Sequence, residues 1–413
     1  MASDIGSTSQ HPLFVDIEMV EMGTPPRHSF DTHASIETVG TSVETVGTSA
    51  VTHETDFSFG APNYWTWRRI LMAIALVGLI AVVAITAILF LVLRQDHLKT
   101  HKLHPHPECQ LSLTVSQDGK SNFTTISDAL DACPSSNSSS FKICILVRAG
   151  EYNEKLNIAD EKMYVMLIGE GAEKTIITSN SSLVVGTSIL PSATLTILGE
   201  GFIAQDLTIE NKNEYGLAVE NFGDKTVFFQ CTLKAFNATL HMEGIRQFYQ
   251  SCTFHGKTSL VSGFADSFFQ RCEFFSMKSY PQDRTFFFTQ TPPRPSHYYI
   301  FIFHICSFHV VPKFNNTFRT TYLGGDFGDF GNVVVLQSSL DSSIGGYYLG
   351  GPPPNTCLYK IYENTRNGEP IKNIPSYILS LPSVESAAEF SLRGFMDVNN
   401  WIPPGIDYDL GSD

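Results

Sequence analysis

The sequence predicts an all-β chain wound as a single-stranded parallel β-helix, and three observations predict it. From about residue 109, short β-rich runs broken by Gly, Asn and Ser follow one another, among them KICILVRAG, YVMLIGEG, KTIITSN, SATLTILGEGF and LTIEN. No long 3.6-residue periodicity separates them, which leaves a sandwich, a barrel or a β-solenoid. An aromatic–cysteine phrase then recurs: FFQCTL around Cys231, FYQSCTF around Cys252, FFQRCEF around Cys272 and, after a longer interval, FHICSF around Cys306. A period near 20 puts equivalent side chains on successive coils, where like stacks on like and each coil buries its neighbour's inward face.

The elements before the solenoid are read in order. Residues 1–68 form a Ser/Thr-rich cytosolic tail in which ETVGTSV returns once as ETVGTSA. Two such copies build no solenoid, and the composition is that of a disordered segment. Residues 69–94 contain ILMAIALVGLIAVVAITAILFLVL, an uninterrupted run over 70–93 without a charge. At 1.5 Å per residue this run crosses a hydrocarbon core of about 30 Å, and it is too long and too far from the N-terminus for a signal-peptide core. Residues 95–110 form a stalk whose HLKTHKLHPHPE stretch reads as a solvated histidine run. The β-helix domain is expected over 111–408.

Orientation follows from asymmetry. Arg68 and Arg69 precede the apolar run, while Arg94, Lys99 and Lys102 follow it, so the positive-inside count does not decide. All eight cysteines and all the N-x-S/T sequons, at Asn122, Asn137, Asn180, Asn237 and Asn315, lie after it. That fits a glycosylated C-terminal part in an oxidising lumen or outside the cell. The expected protein is single-pass type II, in the Golgi, elsewhere in the secretory pathway or at the plasma membrane.

Within the solenoid, TTISDALDACP (124–134) reads as one short helix. The longer interval between Cys272 and Cys306 is one coil with a long loop, assigned to SYPQDRTFFFTQTPPRPS. Cys231 and Cys252 read as an internal ladder of small apolar groups. The formal charge of −14 leaves no basic surface for nucleic acid.

Over about 112–404 the chain resembles the plant pectin methylesterases, family 8 carbohydrate esterases. The segments that carry the resemblance are DGKSNFTTISDAL (118–130), RAGEYNEKLNI (148–158), MLIGEGAEKTIITSN (166–180), GEGFIAQDLTIEN (199–211), IRQFYQSC (245–252), TYLG (321–324) and NNWIPP (399–404), in the family's order. The resemblance implies a right-handed parallel β-helix, a cleft for pectin (homogalacturonan), no metal and no cofactor. It also implies pairing of Cys272 with Cys306. The family's chemistry, as implied, is hydrolysis of a galacturonate methyl ester. One aspartate attacks the carbonyl, a second protonates methanol and then activates water, glutamines hold the oxyanion, and an arginine positions the nucleophile.

Carried over residue by residue, that site is missing. The family's YQDTL reads FNATL here, which puts Asn237 at an oxyanion glutamine and Ala238 at the acid/base aspartate. DFIFG reads SLVSG, which puts Ser259 at the nucleophile. LGRPW reads LGGDF, which puts Gly325 at the arginine and Phe327 at the substrate-stacking tryptophan. The other glutamine falls on Leu217, and a slip of one or two residues offers Gly216 or Tyr215 instead. Asn237 and Phe327 remain as substrate contacts, and Gly263, Gly324 and Arg246 persist around them.

The expectation is a pectinesterase-like protein without catalysis that binds pectin or a protein partner. Two alternatives stand: an active pectinesterase, or a relic scaffold. A serine route would use Ser259 with His255 or His241, but the sequence offers it no orienting acid. Asp266 and Glu243 match non-catalytic positions.

Overall fold

In the computed structural model the described residues are 65, 68–69, 71–79 and, from 109 to 410, all but 136–140, 183–191, 237, 278–283, 291–298, 312–320, 326–330, 349–356, 397–400, 405 and 407. Contacts divide the chain into two units, Met1–Leu89 and Phe90–Asp413. In the first unit every described residue is helical and exposed, including Leu71, Met72, Ile74, Leu76, Val77 and Leu79. No helix among the described residues is long and apolar enough to cross a membrane. The tail, the rest of the apolar run and the histidine stalk lie outside the described residues.

The second unit is almost entirely parallel β-structure, as the recurring phrase demands. Each coil runs through three strands on three faces. In one coil these are Leu217–Asn221, Thr226–Phe229 and Thr232–Ala235, after which Ala238–Gln250 begins the next. Among the described residues, strands pair with their equivalents one coil away, all in parallel, except that Thr365–Arg366 meets Glu369–Pro370 antiparallel. Ala238–Gln250 and Ser259–Gln270 each run through two faces without a break. They bend at Gly244 and Gly263, whose φ values of +148° and +101° suit glycine alone. A Cβ on Gly263 would come within 2.0 Å of the Met242 carbonyl oxygen.

The corner between the second and third faces explains the aromatic–cysteine phrase. One left-handed residue turns each coil there, at Gln230, Ser251, Arg271 and Ile305, with φ of 52–55°. Its amide still donates to the next coil, as from Ser251 to the Gln270 carbonyl at 2.9 Å. The cysteine that follows points inward, fully buried. Register is counted from it: three residues earlier stand Phe228, Tyr249 and Phe269, each stacked on the next at 5.2 and 4.7 Å. Phe228, Phe248 and Phe268 do lie on successive coils, but Phe228 is not in their column; Val227 is. One residue fewer separates Phe228 from its cysteine.

The pairing of Cys272 with Cys306 is corrected. Both are free, and their thiols donate to the carbonyls of Tyr249 and Phe269 at 3.3 and 3.4 Å. Equivalent residues on stacked parallel strands send their Cβ atoms the same way, whereas a disulfide needs them to converge. The disulfide among the described residues is Cys109–Cys144, across the first two coils, with Cα atoms 5.8 Å apart. The expected long loop also contains a strand, Thr285–Thr289, which pairs with the coils on either side. The expected helix is present at Ile126–Ala132, capped by Thr125, whose hydroxyl accepts from the Asp128 amide.

Inside the coil, aromatic columns form the core: Phe254 on Phe274 at 4.7 Å and Phe274 on Phe308 at 5.1 Å. A second apolar layer lies outside the second face, where Phe248, Phe268, Ile302 and Val334 are covered by Phe390, Leu392, Met396 and Ile406 from the C-terminal segment. Gln270 clamps that segment by two 2.7 Å hydrogen bonds with the Asp409 backbone.

Candidate functional site

The first face carries the positions that the family resemblance singles out. Its strands repeat a local pattern of one outward residue, two buried and one outward. Ala218–Val219, Thr239–Leu240 and Leu260–Val261 are the buried pairs. The outward residues form two rows. One row is Leu217, Ala238, Ser259, Phe286 and Tyr322, each in register with the next. The other begins Glu220, His241 and Ser262, likewise in register, and continues through Thr289 to its partner Gly325. The structure therefore brings Leu217, Ala238 and Ser259 side by side on three consecutive coils. Asn237 and Phe327 lie outside the described residues, as do the sequons at Asn137 and Asn315. Asn122 and Asn180 are exposed.

The row of Ala238 and Ser259 contains no carboxylate. Ser259 Oγ donates to the Val261 carbonyl at 3.2 Å and lies 3.1 Å from Thr289 Oγ1, and among the described residues no histidine contacts it. Gly325 is buried under an aromatic ring: a Cβ there would come within 2.3 Å of Phe286. Phe286 and Tyr322 stack at 6.3 Å and 28°. Arg246 is engaged elsewhere, with its amide and Nε both donating to Asp224 Oδ1 at 3.0 Å. Asp266 accepts from the Ile300 amide at 3.2 Å.

The two histidines of the serine route part company. His255 is on the third face, stacked on Phe275 at 4.9 Å. Burial, helped by the charge of Lys234, pushes it down to about 4. His241 is on the first face, and it meets Ser262 rather than Ser259. Its Nδ1 is 3.1 Å from Ser262 Oγ and its Nε2 is 3.3 Å from Glu243 Oε1. On the other side of His241 in the row stands Glu220, whose carboxyl is pushed up by burial and by Glu243 against the lowering charge of His241. Sequence reasoning missed Ser262, Glu220 and the role of Glu243. The available signal was the fourth position of LAVEN, ATLHM and SLVSG, which is polar each time.

Where the third face turns into the first, a cavity of about 380 Å³ is lined by Glu210, Lys212, Lys234, Phe236, His255 and Met277. Phe236 stands two residues before Ala238 and Tyr215 two before Leu217; both are exposed. Among the described residues no cluster of three or more His, Cys, Asp or Glu has the arrangement of a metal site.

The pectinesterase family model matches residues 112–399. A probable pectinesterase/pectinesterase inhibitor 17 of Arabidopsis thaliana is 32% identical over 312 residues, covering 72% of this chain and 59% of that protein. Pectinesterase 2 of Citrus sinensis is 31% identical, covering 71% of this chain and 59% of that protein. This chain thus spans under two thirds of the length of these relatives. Among solved structures, the pectin methylesterase from carrot superposes with a TM-score of 0.67 at 24% identity, over 73% of this chain and 98% of that one. A pectin methylesterase in complex with a hexasaccharide superposes with a TM-score of 0.59 at 21% identity, over 71% and 98%. At these identities the structures speak for the fold, a parallel β-helix. With the family match spanning most of the solenoid, and the Arabidopsis and Citrus relatives alike along the same stretch, this chain belongs to the pectinesterase family.

Proposed function

We propose that this chain is a membrane-anchored pectinesterase-family protein that holds homogalacturonan in the groove over its first face and lacks the family's carboxylate chemistry. The observation that carries it is the register pair Ala238–Ser259. The family resemblance assigns these two positions to acid and nucleophile, and neither side chain is a carboxylic acid. Ester hydrolysis by that route needs both, and deleting such a unit costs about 10⁴–10⁶ in rate.

Polymer binding is supported by what replaced the site. The exposed rings of Tyr215 and Phe236 and the Phe286–Tyr322 stack offer apolar faces to sugar rings. Lys234 beside Phe236 offers an ammonium group to a uronate carboxylate, while Lys212 is held by Glu151 at 2.6 Å. In the relative of known structure, the same fold holds a hexasaccharide.

The anchor reading is supported by a helix whose apolar side chains are exposed all round, and by the charge-free run that continues past it. The Cys109–Cys144 disulfide supports an oxidising compartment for the solenoid. The full chain, purified in detergent and sedimented with insoluble methyl-esterified homogalacturonan, is expected to co-sediment and to be released by soluble polymer. Binding equal to that on cellulose would refute the reading.

A further inference from the structure

We propose that Ser262, His241 and Glu243 form a second, serine-based ester-cleaving site one row along from the positions where the family carries its carboxylates. Three residues that the family motif does not use converge here. His241 and Ser262 are cross-strand partners on adjacent coils. Glu243 is two residues beyond His241 on the same strand, so its side chain returns to the same outward surface. The imidazole bridges them, at 3.1 Å to the serine oxygen and 3.3 Å to the carboxylate. A neutral imidazole that donates Nε2–H to Glu243 presents Nδ1 as acceptor to the Ser262 hydroxyl. That hydroxyl also reaches the Leu240 carbonyl at 3.3 Å, and rotation about one bond turns its hydrogen to His241.

The site is open to substrate. The side chains of His241 and Glu243 are 29% and 40% exposed. This is the geometry of a nucleophile, a base and a group that orients the base, recognised by role and not by chain order. Thr289 follows Phe288, the partner of Val261, and its hydroxyl lies 3.1 Å from Ser259 Oγ.

The substrate class is a carboxylic ester. Ser262 Oγ attacks the ester carbonyl while its proton passes to His241 Nδ1. The C–O bond to the alcohol breaks, the alcohol leaves with that proton, and an acyl-serine remains. Water, losing a proton to His241, adds to the acyl carbon. The Oγ–acyl bond breaks, the carboxylic acid leaves, and the proton returns to Ser262. Glu243 is a positioning residue throughout.

The test uses the full chain in detergent with a fluorophosphonate probe and with 4-nitrophenyl acetate. The site predicts one phosphonylated peptide, carrying the label on Ser262. It also predicts aryl-ester turnover that falls at least about 100-fold in Ser262→Ala and in His241→Gln. Glu243→Gln should lower kcat with KM little changed, and Glu243→Asp should restore part of it. No labelling above heat-denatured protein, or a label on another residue, overturns the proposal without reference to any variant's folding. Polymer binding is read separately: binding without labelling refutes the relay alone, and labelling without binding refutes the polymer reading alone.

Discussion

The ring of Phe286 occupies the space that a side chain on Gly325 would need, within 2.3 Å of where its Cβ would stand. The family resemblance assigns an arginine to position 325, and the Phe286 ring stands in its way. Gly325→Arg alone should destabilise by about 1–3 kcal/mol through overpacking. In a Phe286→Ala background the same substitution should cost clearly less, as read by urea unfolding. Restoring the family pattern with Asn237→Gln, Ala238→Asp, Ser259→Asp and Gly325→Arg should recover methanol release only when Phe286 is also reduced to alanine. Equal results with and without Phe286 would mean the ring is no obstacle.

His255 sits far below its ordinary value of 6.5, at about 4, because of burial and then Lys234. A folded-state value below the unfolded one means that the native state binds fewer protons. Its contribution to stability is therefore whole above about 6.5 and is lost as the pH falls towards 4. His255→Gln should flatten the stability–pH curve across that window and leave it unchanged above pH 7. An unchanged acid slope in the variant would show that His255 is protonated in the native stack.

The cysteines give a chemical test of the winding. Peptide mapping without reduction should find Cys109 linked to Cys144, with Cys231, Cys252, Cys272 and Cys306 alkylated only after denaturation. Recovery of a Cys272–Cys306 peptide would contradict the buried thiol column.

The phenylalanine column tests where stability resides. Phe274 is fully buried, stacked between Phe254 and Phe308. Phe274→Ala should cost about 3–5 kcal/mol, because the stiff neighbouring coils cannot close the cavity. A loss under about 1 kcal/mol in urea unfolding would show that the coils collapse onto each other.

The winding was legible because a solenoid repeats its corners: Cys231, Cys252, Cys272 and Cys306 mark one corner on four coils. The phase within a coil was less legible. Adjacent aromatics in FFQ and FYQ point to opposite sides of one strand, and only the count back from cysteine tells Phe228 from Phe248. The Thr285–Thr289 strand was hidden because proline-containing flanks on both sides read as a single loop. That Ala238 and Ser259 stand where the family resemblance expects carboxylates could be read from the motifs alone, since it is a matter of residue identity. Ser262–His241–Glu243 could not, because Ser262 meets the other two only when neighbouring coils stack in register. The Cys109–Cys144 link depended likewise on the pairing of the first two coils.

The central claim is that the carboxylate site of the pectinesterase family has been lost from this chain, and methanol release measures it most directly. The full chain in detergent, with Ser262→Ala to silence the proposed serine site and assayed on highly methyl-esterified homogalacturonan beside an active family member, should release methanol at least about 10⁴-fold more slowly. Ser259→Ala should leave whatever rate is seen unchanged. A rate in the range of the active enzyme, or one abolished by Ser259→Ala, would contradict the account.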